Sequence, residues 1–585
     1  MKKIIEKLKN GLLREVLKDA KWIYSHARGY KGMICLYIFL GILASCAGLA
    51  SGLISRRLIN MVTGYDTTGI VDAAILYVCF GLVRIGFNAV NKRIGTKMSL
   101  RINNEIREDV FSKFLDMEWE SSLDYHSGDL LSRINADVST VADSVLGLIP
   151  GLITYLFQLA ASFFVILYYD HIMALLAVVI APISILVSNI FLRKMREYGR
   201  KTREASSNLI SFYGESLQNL QAVKAFSLGD SFCDRLKALQ QIYMDISLDY
   251  NRFSLISGSL MSLIGFVVSC VCLGWGVFRM WTGYIDFGTM VLFLQLAGMV
   301  SSAFSSVVGL VPTAVSATVS AGRIRTILDL PSESNDGEKE AEALYKDSVA
   351  HGISLELNKV DFAYASDGCK VFEGFDLNAE AGEIIGIVSP SGGGKTTLIR
   401  MLLGLIHPQS GEVKLICRET GREMDISSRT RRMFSYVAQE KCIFSGTVAE
   451  TLRISDPNAT DEELMDALCM AEAIRFVSRL KHGMNTKLGE RGGGLSEGQI
   501  QRLAIARAIL SKAPVMLLDE ATSALDVATE RKVLRNLLKG ETKRTIIVTT
   551  HRPTVLSMCD RVYRIDNMKS QLLDEEEIKR IAADF

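Results

Sequence analysis

The sequence predicts an all-α, six-helix transmembrane domain fused to an α/β domain with a phosphate-binding loop. Three observations carry this reading: six apolar runs long enough to span a bilayer lie before residue 323, a polar break follows Leu330, and a glycine-rich loop follows a strand and opens a helix near residue 390. Length and composition agree. The chain has 585 residues, enough for two or three domains, with 49% hydrophobic and only 22% charged residues. Its net charge of +2 leaves no global electrostatic footprint for nucleic acid, although it does not exclude a local basic patch.

The elements follow in order. Nine Lys/Arg fall within residues 1–31, where Ile5, Leu8, Leu12 and Val16 recur every three or four positions. That reads as an amphipathic helix on the inner membrane surface. A cleavable signal peptide fits less well, because the charged region is long and the next apolar run exceeds twenty residues. Charge-free runs cover Met33–Ile54, Val145–Tyr169, Ile172–Leu192, Phe253–Phe278 and Phe287–Gly322. Ala73–Val90 is a shorter run, interrupted by Arg84. Basic residues flank the second and fourth spans (Lys92, Arg93, Lys97 and Arg101; Arg193, Lys194, Arg196 and Arg200), which puts the N-terminus and both long loops in the cytosol. Arg56, Arg57 and Arg279 run against this rule, but Asp66, Asp170 and Asp286 accompany them.

The two cytosolic connections each exceed 50 residues and contain few glycines or prolines. Helices that continue for ~25 residues beyond the bilayer would reach ~40 Å into the cytosol before turning back. Arg84 is an ionisable residue at membrane depth. The plainer reading is that it lines a wet cavity; the alternative is contact with a substrate. The eleven cysteines are scattered without a CxxC pair and read as small packing residues. Together these features set residues 1–31 as an N-terminal amphipathic helix, 32–326 as the membrane domain, 327–352 as a polar linker and 353–585 as the soluble domain.

In the soluble half, Ile384–Val388, Val515–Leu518 and Thr545–Val548 are strand-like runs between helical stretches, which points to a largely parallel sheet. Ser389-Pro390-Ser391-Gly392-Gly393-Gly394-Lys395-Thr396-Thr397 follows the first of them. Backbone N–H groups from Ser391 to Gly394 can wrap a phosphate, and the helix N-terminus adds its dipole. Lys395 can reach the β- and γ-phosphates of ATP, and the Thr396 hydroxyl can hold Mg²⁺. The usual pattern has glycine where Ser389 stands, a position that often needs glycine's freedom. Val515-Met-Leu-Leu-Asp519-Glu520 ends an apolar strand in two carboxylates: Asp519 can bind Mg²⁺, and Glu520 can polarise an attacking water.

Leu495-Ser496-Glu497-Gly498-Gln499, followed by Gln501-Arg502, resembles the signature of ABC transporter ATPases, with Glu497 where glycine is usual. Other elements match that family in order. Tyr364 resembles the aromatic that stacks on adenine. Gln439 resembles the glutamine that senses Mg²⁺ and water. Gly489-Glu490-Arg491-Gly492 resembles the segment that touches membrane-domain loops. Asp526, ending Ser523-Ala-Leu-Asp, resembles the loop joining two ATP sites, and His551 resembles the switch histidine near the γ-phosphate. The membrane half resembles the exporter branch, with turning points near Tyr125–Ile134 and Ser211–Gln218.

The resemblance implies an ABC nucleotide-binding domain with ATP and Mg²⁺ as cofactors. It implies catalytic roles for Glu520, His551 and Gln439, metal contacts from Thr396, Gln439 and Asp519, and nucleotide contacts from the phosphate loop and Tyr364. Ser496, Gly498 and Gln499 would contact a nucleotide held by the partner, and Asp526 would join the two ATP sites. One chain carries one phosphate loop and one signature, so a second half-transporter is implied: a homodimer first, a heterodimer as the alternative. The implied function is ATP-driven export of a hydrophobic or amphipathic drug, lipid or peptide from a bacterial cytosol, with no nucleic-acid partner. The rival on the same fold is an ATP-gated channel or regulatory subunit.

Overall fold

A computed structural model describes residues 21–25, 28–64, 68–123, 125, 127–334, 337–364, 368–390, 392–439, 442–489, 492–538, 544–550 and 552–584. Most of the N-terminal amphipathic helix expected at 1–31 therefore lies outside the described residues. The chain divides into two compact units, one of residues 1–114 and 126–329, the other of residues 115–125 and 330–585.

The first unit is helical. Its long elements are α1 (Lys31–Thr63) and α2 (Ile70–Asp116). After the short α3 (Trp119–Ser122), which belongs to the second unit, come α4 (Ser127–Ser132), α5 (Val138–Gly147) and α6 (Ile149–Tyr169). They are followed by α7 (His171–Gln218), α8 (Gly229–Trp281) and α9 (Phe287–Leu328). The 47 residues of α2 measure ~70 Å at the α-helical rise, far more than a ~30 Å hydrocarbon core. Among the described residues, four helical stretches are apolar and long enough to cross a membrane, within 21–63, 70–116, 128–169 and 287–307.

Turns between these helices are set by specific side chains. Asp170 alone separates α6 from α7, and its carboxylate accepts from the N–H groups of Ile172 (2.9 Å) and Met173 (3.0 Å) as an N-cap. The same carboxylate takes 2.6 Å from Arg279 Nε. Arg56 donates to Thr289 (2.6 Å) and Tyr169 (2.9 Å) and pairs with Asp286 at 3.3 Å. Two arginines that break the charge rule of the sequence thus have acidic partners at the N-caps of other helices.

After residue 330 the second unit continues with a helix, α10 (Glu338–His351), whose Ala341 and Leu344 are buried against the β-sheet core. The stretch 327–352, which reads as a linker by composition, therefore carries a packed element: its apolar positions are few but lie on one face. Residues 115–125 also belong here rather than with the membrane domain. Glu118 N–H bonds to Pro331 O at 3.2 Å, Glu333 N–H bonds to Asp116 O at 2.9 Å, and Trp119 stacks under Arg400.

Among the described residues twelve strands follow, β1 (Ser354–Ala363), β2 (Lys370–Ala379), β3 (Ile384–Val388), β4 (Ser410–Cys417), β5 (Arg422–Asp425), β6 (Phe434–Val437), β7 (Gly446–Thr447), β8 (Lys487–Leu488), β9 (Val515–Asp519), β10 (Thr545–Thr549), β11 (Arg561–Asp566) and β12 (Lys569–Leu572). The six-stranded sheet runs β12-β11-β3-β10-β9-β6, parallel except for the β11–β12 hairpin. Every residue of β3, β9 and β10 is buried, as expected of parallel strands covered on both faces. An antiparallel sheet, β2-β1-β4-β5, adds to the core. The helices that position the site are α11 (Lys395–Leu402), α12 (Glu497–Leu510) and α13 (Val527–Leu538).

Candidate functional site

The site lies where the parallel strands end. From β3 the chain passes through Ser389 and Pro390 to the glycines that lead into α11. Gly392 (φ +81°) and Gly394 (φ +101°) are left-handed, where a side chain is strained. Gly394 also lacks room, since a Cβ there would stand 3.0 Å from both Phe372 and Val371. Ser389, the departure from the usual glycine, does not adopt a left-handed conformation. It is buried, its hydroxyl donates to Pro390 O at 3.0 Å, and it fills the space beside Gly393. A Cβ on Gly393 would meet Ser389 Oγ at 2.8 Å. The need for a bare Cα therefore sits at Gly393 here, and a serine fits at 389.

Lys395 opens α11, and its Nζ lies 3.0 Å from Glu520 Oε1. Gln439, just past β6, donates through Nε2 to the other oxygen of Glu520 at 2.8 Å. The Glu520 carboxylate is therefore held between a cation and an amide. Its backbone is left-handed (φ +48°), uncommon for a residue with a Cβ. Thr549, at the end of β10, fixes this geometry. Its carbonyl and hydroxyl oxygens accept from Glu520 N–H at 3.2 and 3.1 Å. The same hydroxyl donates to Asp519 Oδ1 at 2.7 Å. Burial pushes the Asp519 carboxyl above its ordinary range; the neighbouring Glu520 adds to this, and Thr549 and Lys395 oppose it. The buried Asp519 carboxyl and the exposed Thr396 at the start of α11 are oxygen donors of the type that suits a cation which also takes phosphate oxygens. Among the described residues no group of three or more His, Cys, Asp or Glu forms a self-contained metal cage.

Tyr364 follows β1. Its ring packs edge-on against Phe362, with centroids 5.0 Å apart, and its hydroxyl lies 3.2 Å from Thr397 Oγ1. Arg400, one turn further along α11, donates to the Tyr364 hydroxyl at 3.0 Å and lies over the Trp119 ring at 4.6 Å. A chain of contacts thus runs from α3 through Arg400 and Tyr364 to the phosphate-loop helix.

The second cluster surrounds the start of α12. Ser496 is its N-cap: the Ser496 hydroxyl accepts from Gln499 N–H (3.4 Å), and Ser496 N–H donates to Gln499 Oε1 (2.9 Å). This capping box accounts for the serine and glutamine locally. Glu497 occupies the first turn, where a carboxylate complements the helix dipole, which explains why glutamate is tolerated there. Gly498 has a steric reason, since a Cβ would lie 2.8 Å from Ala524 O. Gln501 pins the following loop, donating to Ser523 Oγ and accepting from Ala524 N–H, each at 3.0 Å. Asp526 caps α13 through Thr529 N–H at 2.9 Å, and bonds from Thr529 hold its carboxyl below the usual range.

Sequence reasoning passed over three of these residues. Thr549 could have been found as the strand residue beside Asp519. Arg552 donates to Leu525 O (2.8 Å) and Ser523 O and pairs with the fully buried Glu530 at 3.2 Å. Nothing in the sequence marks Arg552 and Glu530 except their proximity to His551 and Asp526. Ser391, Glu490, Arg491 and His551 lie outside the described residues. Of the cysteines read as packing residues, Cys417 is buried and burial pushes the Cys559 thiol up to about 12, as for an inert packing group, whereas most of the other described cysteines are exposed.

Comparison with known proteins agrees with this layout. The ABC transporter transmembrane region family matches residues 34–304, and the ABC transporter family matches residues 372–523. A protein of Rickettsia prowazekii named as an export ATP-binding/permease protein is 26% identical over 557 residues, covering 94% of this chain and 95% of its own. The ATP-dependent lipid A-core flippase of Desulfotalea psychrophila is 29% identical over 466 residues, covering 78% of this chain and 79% of its own. A solved bacterial Atm1-family ABC exporter with ATP bound shares the fold, with a TM-score of 0.79 over 94% of this chain and 96% of that one, at 19% identity. With a helical membrane region and an ATP-hydrolysing domain on one polypeptide, the chain belongs to the exporter-type ABC transporters.

Proposed function

We propose that two copies of this chain form an exporter that moves a hydrophobic or amphipathic substrate out of a bacterial cytosol by alternating access. The Glu520 carboxylate, held between Lys395 and Gln439 at the end of β9, carries the reading. A carboxylate so placed can orient and polarise a water that enters between these partners. On nucleotide binding Lys395 exchanges its carboxylate partner for phosphate oxygens, which frees Glu520 to act as the base. Thr396, Gln439 and Asp519 would hold Mg²⁺, which neutralises developing phosphate charge when bound. Tyr364 would carry the adenine, and His551 would contact the γ-phosphate.

Ser496, Gly498 and Gln499 would face the nucleotide held by the other copy. The cap of α12 leaves the helix N-terminus presenting N–H groups to an anion. Closure across two such sites would draw the cytosolic hairpins together and turn the membrane helices outward. The name of the Desulfotalea relative supports a lipid-like cargo, and the relatives' bacterial sources support the cytoplasmic membrane. The test is Glu520→Gln. ATP turnover in lipid nanodiscs should fall roughly a hundredfold or more while ATP binding is retained and the dimer stays closed. Near-normal hydrolysis in that variant would overturn the assignment.

A further inference from the structure

Of the three arginines that run against the charge rule, Arg56 and Arg279 are paired with Asp286 and Asp170. Arg57 is exposed and has no side-chain partner among the described residues. It lines an open groove of about 520 Å³ with Leu53, Arg56, Asn60 and Met61 of α1 and Tyr169 of α6. The α1 residues recur at steps of three and four, so they share one helix face. The groove lies at headgroup depth. The charge-free run Met33–Ile54 measures ~33 Å at the helical rise, close to a ~30 Å hydrocarbon core, and Arg56 and Arg57 follow where it ends. Tyr168, Trp281 and Tyr284 are exposed at the same end, as aromatic residues are at a membrane–water interface. Arg56 directs its N–H groups to Thr289, Tyr169 and Asp286, so it offers the groove charge more than free donors. The Tyr169 hydroxyl accepts from Arg56, which leaves its own proton to give. Asn60 Oδ1 accepts from Gly288 N–H at 2.8 Å, and its amide donates to Asp286 at 3.2 Å. Among the described lining side chains, free donors remain on Arg57 and Tyr169, and no carboxylate is present.

We infer that this groove holds the phosphodiester headgroup of an anionic phospholipid in the outer leaflet. Free donors call for an anion that needs to give no proton, and the guanidinium fork of Arg57 matches two phosphate oxygens. A zwitterionic headgroup brings a cation as well. Two arginines repel that cation and no lining carboxylate receives it. The Tyr169 ring could have received it, but the Arg56 guanidinium already covers the ring at 4.5 Å. Leu53 is exposed one turn toward the membrane from Arg57, where it meets the acyl chains. The lipid is resident rather than cargo, because the groove lies on the outward end of α1, which Arg56 ties to α6 and α9. The choice of leaflet rests on the exporter reading and its orientation; the headgroup preference rests on the groove alone.

The test titrates the delipidated, nucleotide-free, full-length protein in detergent and counts bound copies by native mass spectrometry. Three probes are compared: dioleoyl phosphatidylglycerol, dioleoyl phosphatidylcholine, and glycerophosphoglycerol, the first headgroup without its chains. The first phosphatidylglycerol should bind roughly five- to thirtyfold more tightly than phosphatidylcholine, the range for one to two arginines at a headgroup. Arg57→Gln should cut that preference by about fivefold, and Arg57→Lys should keep most of it. Lys92→Gln combined with Arg93→Gln, at the other end of the second span, should leave it unchanged. Loss of the preference there, with Arg57→Gln silent, would place the lipid in the inner leaflet and overturn the site. Glycerophosphoglycerol bound as tightly as the lipid would overturn the lipid assignment. Equal binding of the two lipids to the unaltered protein would overturn the site, even if Arg57→Gln fails to fold. Because neither ATP nor cargo is present, failure here is separable from failure of the hydrolysis test on Glu520.

Discussion

At the scale of single residues, the phosphate loop shows how one substitution moves a constraint rather than removing it. Ser389 occupies the space that a side chain on Gly393 would need. Gly393→Ala should therefore weaken nucleotide binding, measured by equilibrium titration. Adding Ser389→Gly should recover part of the loss, since it removes the two nearest clashes, the next atom being Pro390 O at 3.1 Å. Independent, additive effects of the two changes would refute the coupling. Thr549 offers a second case. Its hydroxyl serves both Asp519 and the left-handed Glu520 backbone, so Thr549→Val, similar in shape, should cost about 1–3 kcal/mol by leaving buried groups unsatisfied. Thermal unfolding would register this as a lower Tm, with ATP turnover falling in parallel. An unchanged Tm would mean that water replaces the hydroxyl without loss.

At the scale of elements, short polar contacts fix the loops that the strands deliver. Arg552 joins the loop after Glu520 to the buried Glu530 on α13. Arg552→Met would leave that carboxylate with Thr554 as its side-chain donor among the described residues, at a cost of about 2–3 kcal/mol given the partial exposure of the arginine. A Tm equal to that of the unaltered protein would contradict this. Trp119 on α3 stacks on Arg400, which positions the Tyr364 hydroxyl. Trp119→Ala should raise the KM for ATP severalfold with little change in kcat, in line with about 0.5–2 kcal/mol for such a contact. An effect on kcat alone would show that the contact acts elsewhere. How legible each element was follows from its physics. The strands β3, β9 and β10 were evident because parallel strands covered on both faces read as continuous apolar runs. The antiparallel sheet of β1, β2, β4 and β5 was not, because its register shifts and exposed edges dilute the alternation. The helix α10 was hidden in a charged stretch where only Ala341, Leu344 and Ser348 turn inward.

At the scale of the whole molecule, the candidate site was legible wherever phosphate chemistry restricts residue type: glycines at left-handed positions, a lysine at a helix start, paired carboxylates at a strand end. Residues that act by holding others, such as Thr549, Arg552 and Glu530, were not, because their types are common and their partners are distant in sequence. The domain boundaries were blurred for the same reason, since 115–125 joins the second unit through contacts that no local pattern encodes. The central claim is that each working ATP site takes its phosphate loop from one copy and its signature from another. The most direct measurement mixes two variants, Lys395→Ala and Ser496→Arg, each as a homodimer expected to be inactive, and co-reconstitutes them in bilayers. Mixed dimers should regain ATP turnover, because one site then pairs an intact Lys395 with the intact Ser496 of the other chain. A mixture as inactive as its parents, or a Ser496→Arg homodimer that hydrolyses ATP at the normal rate, would contradict a site built across two copies.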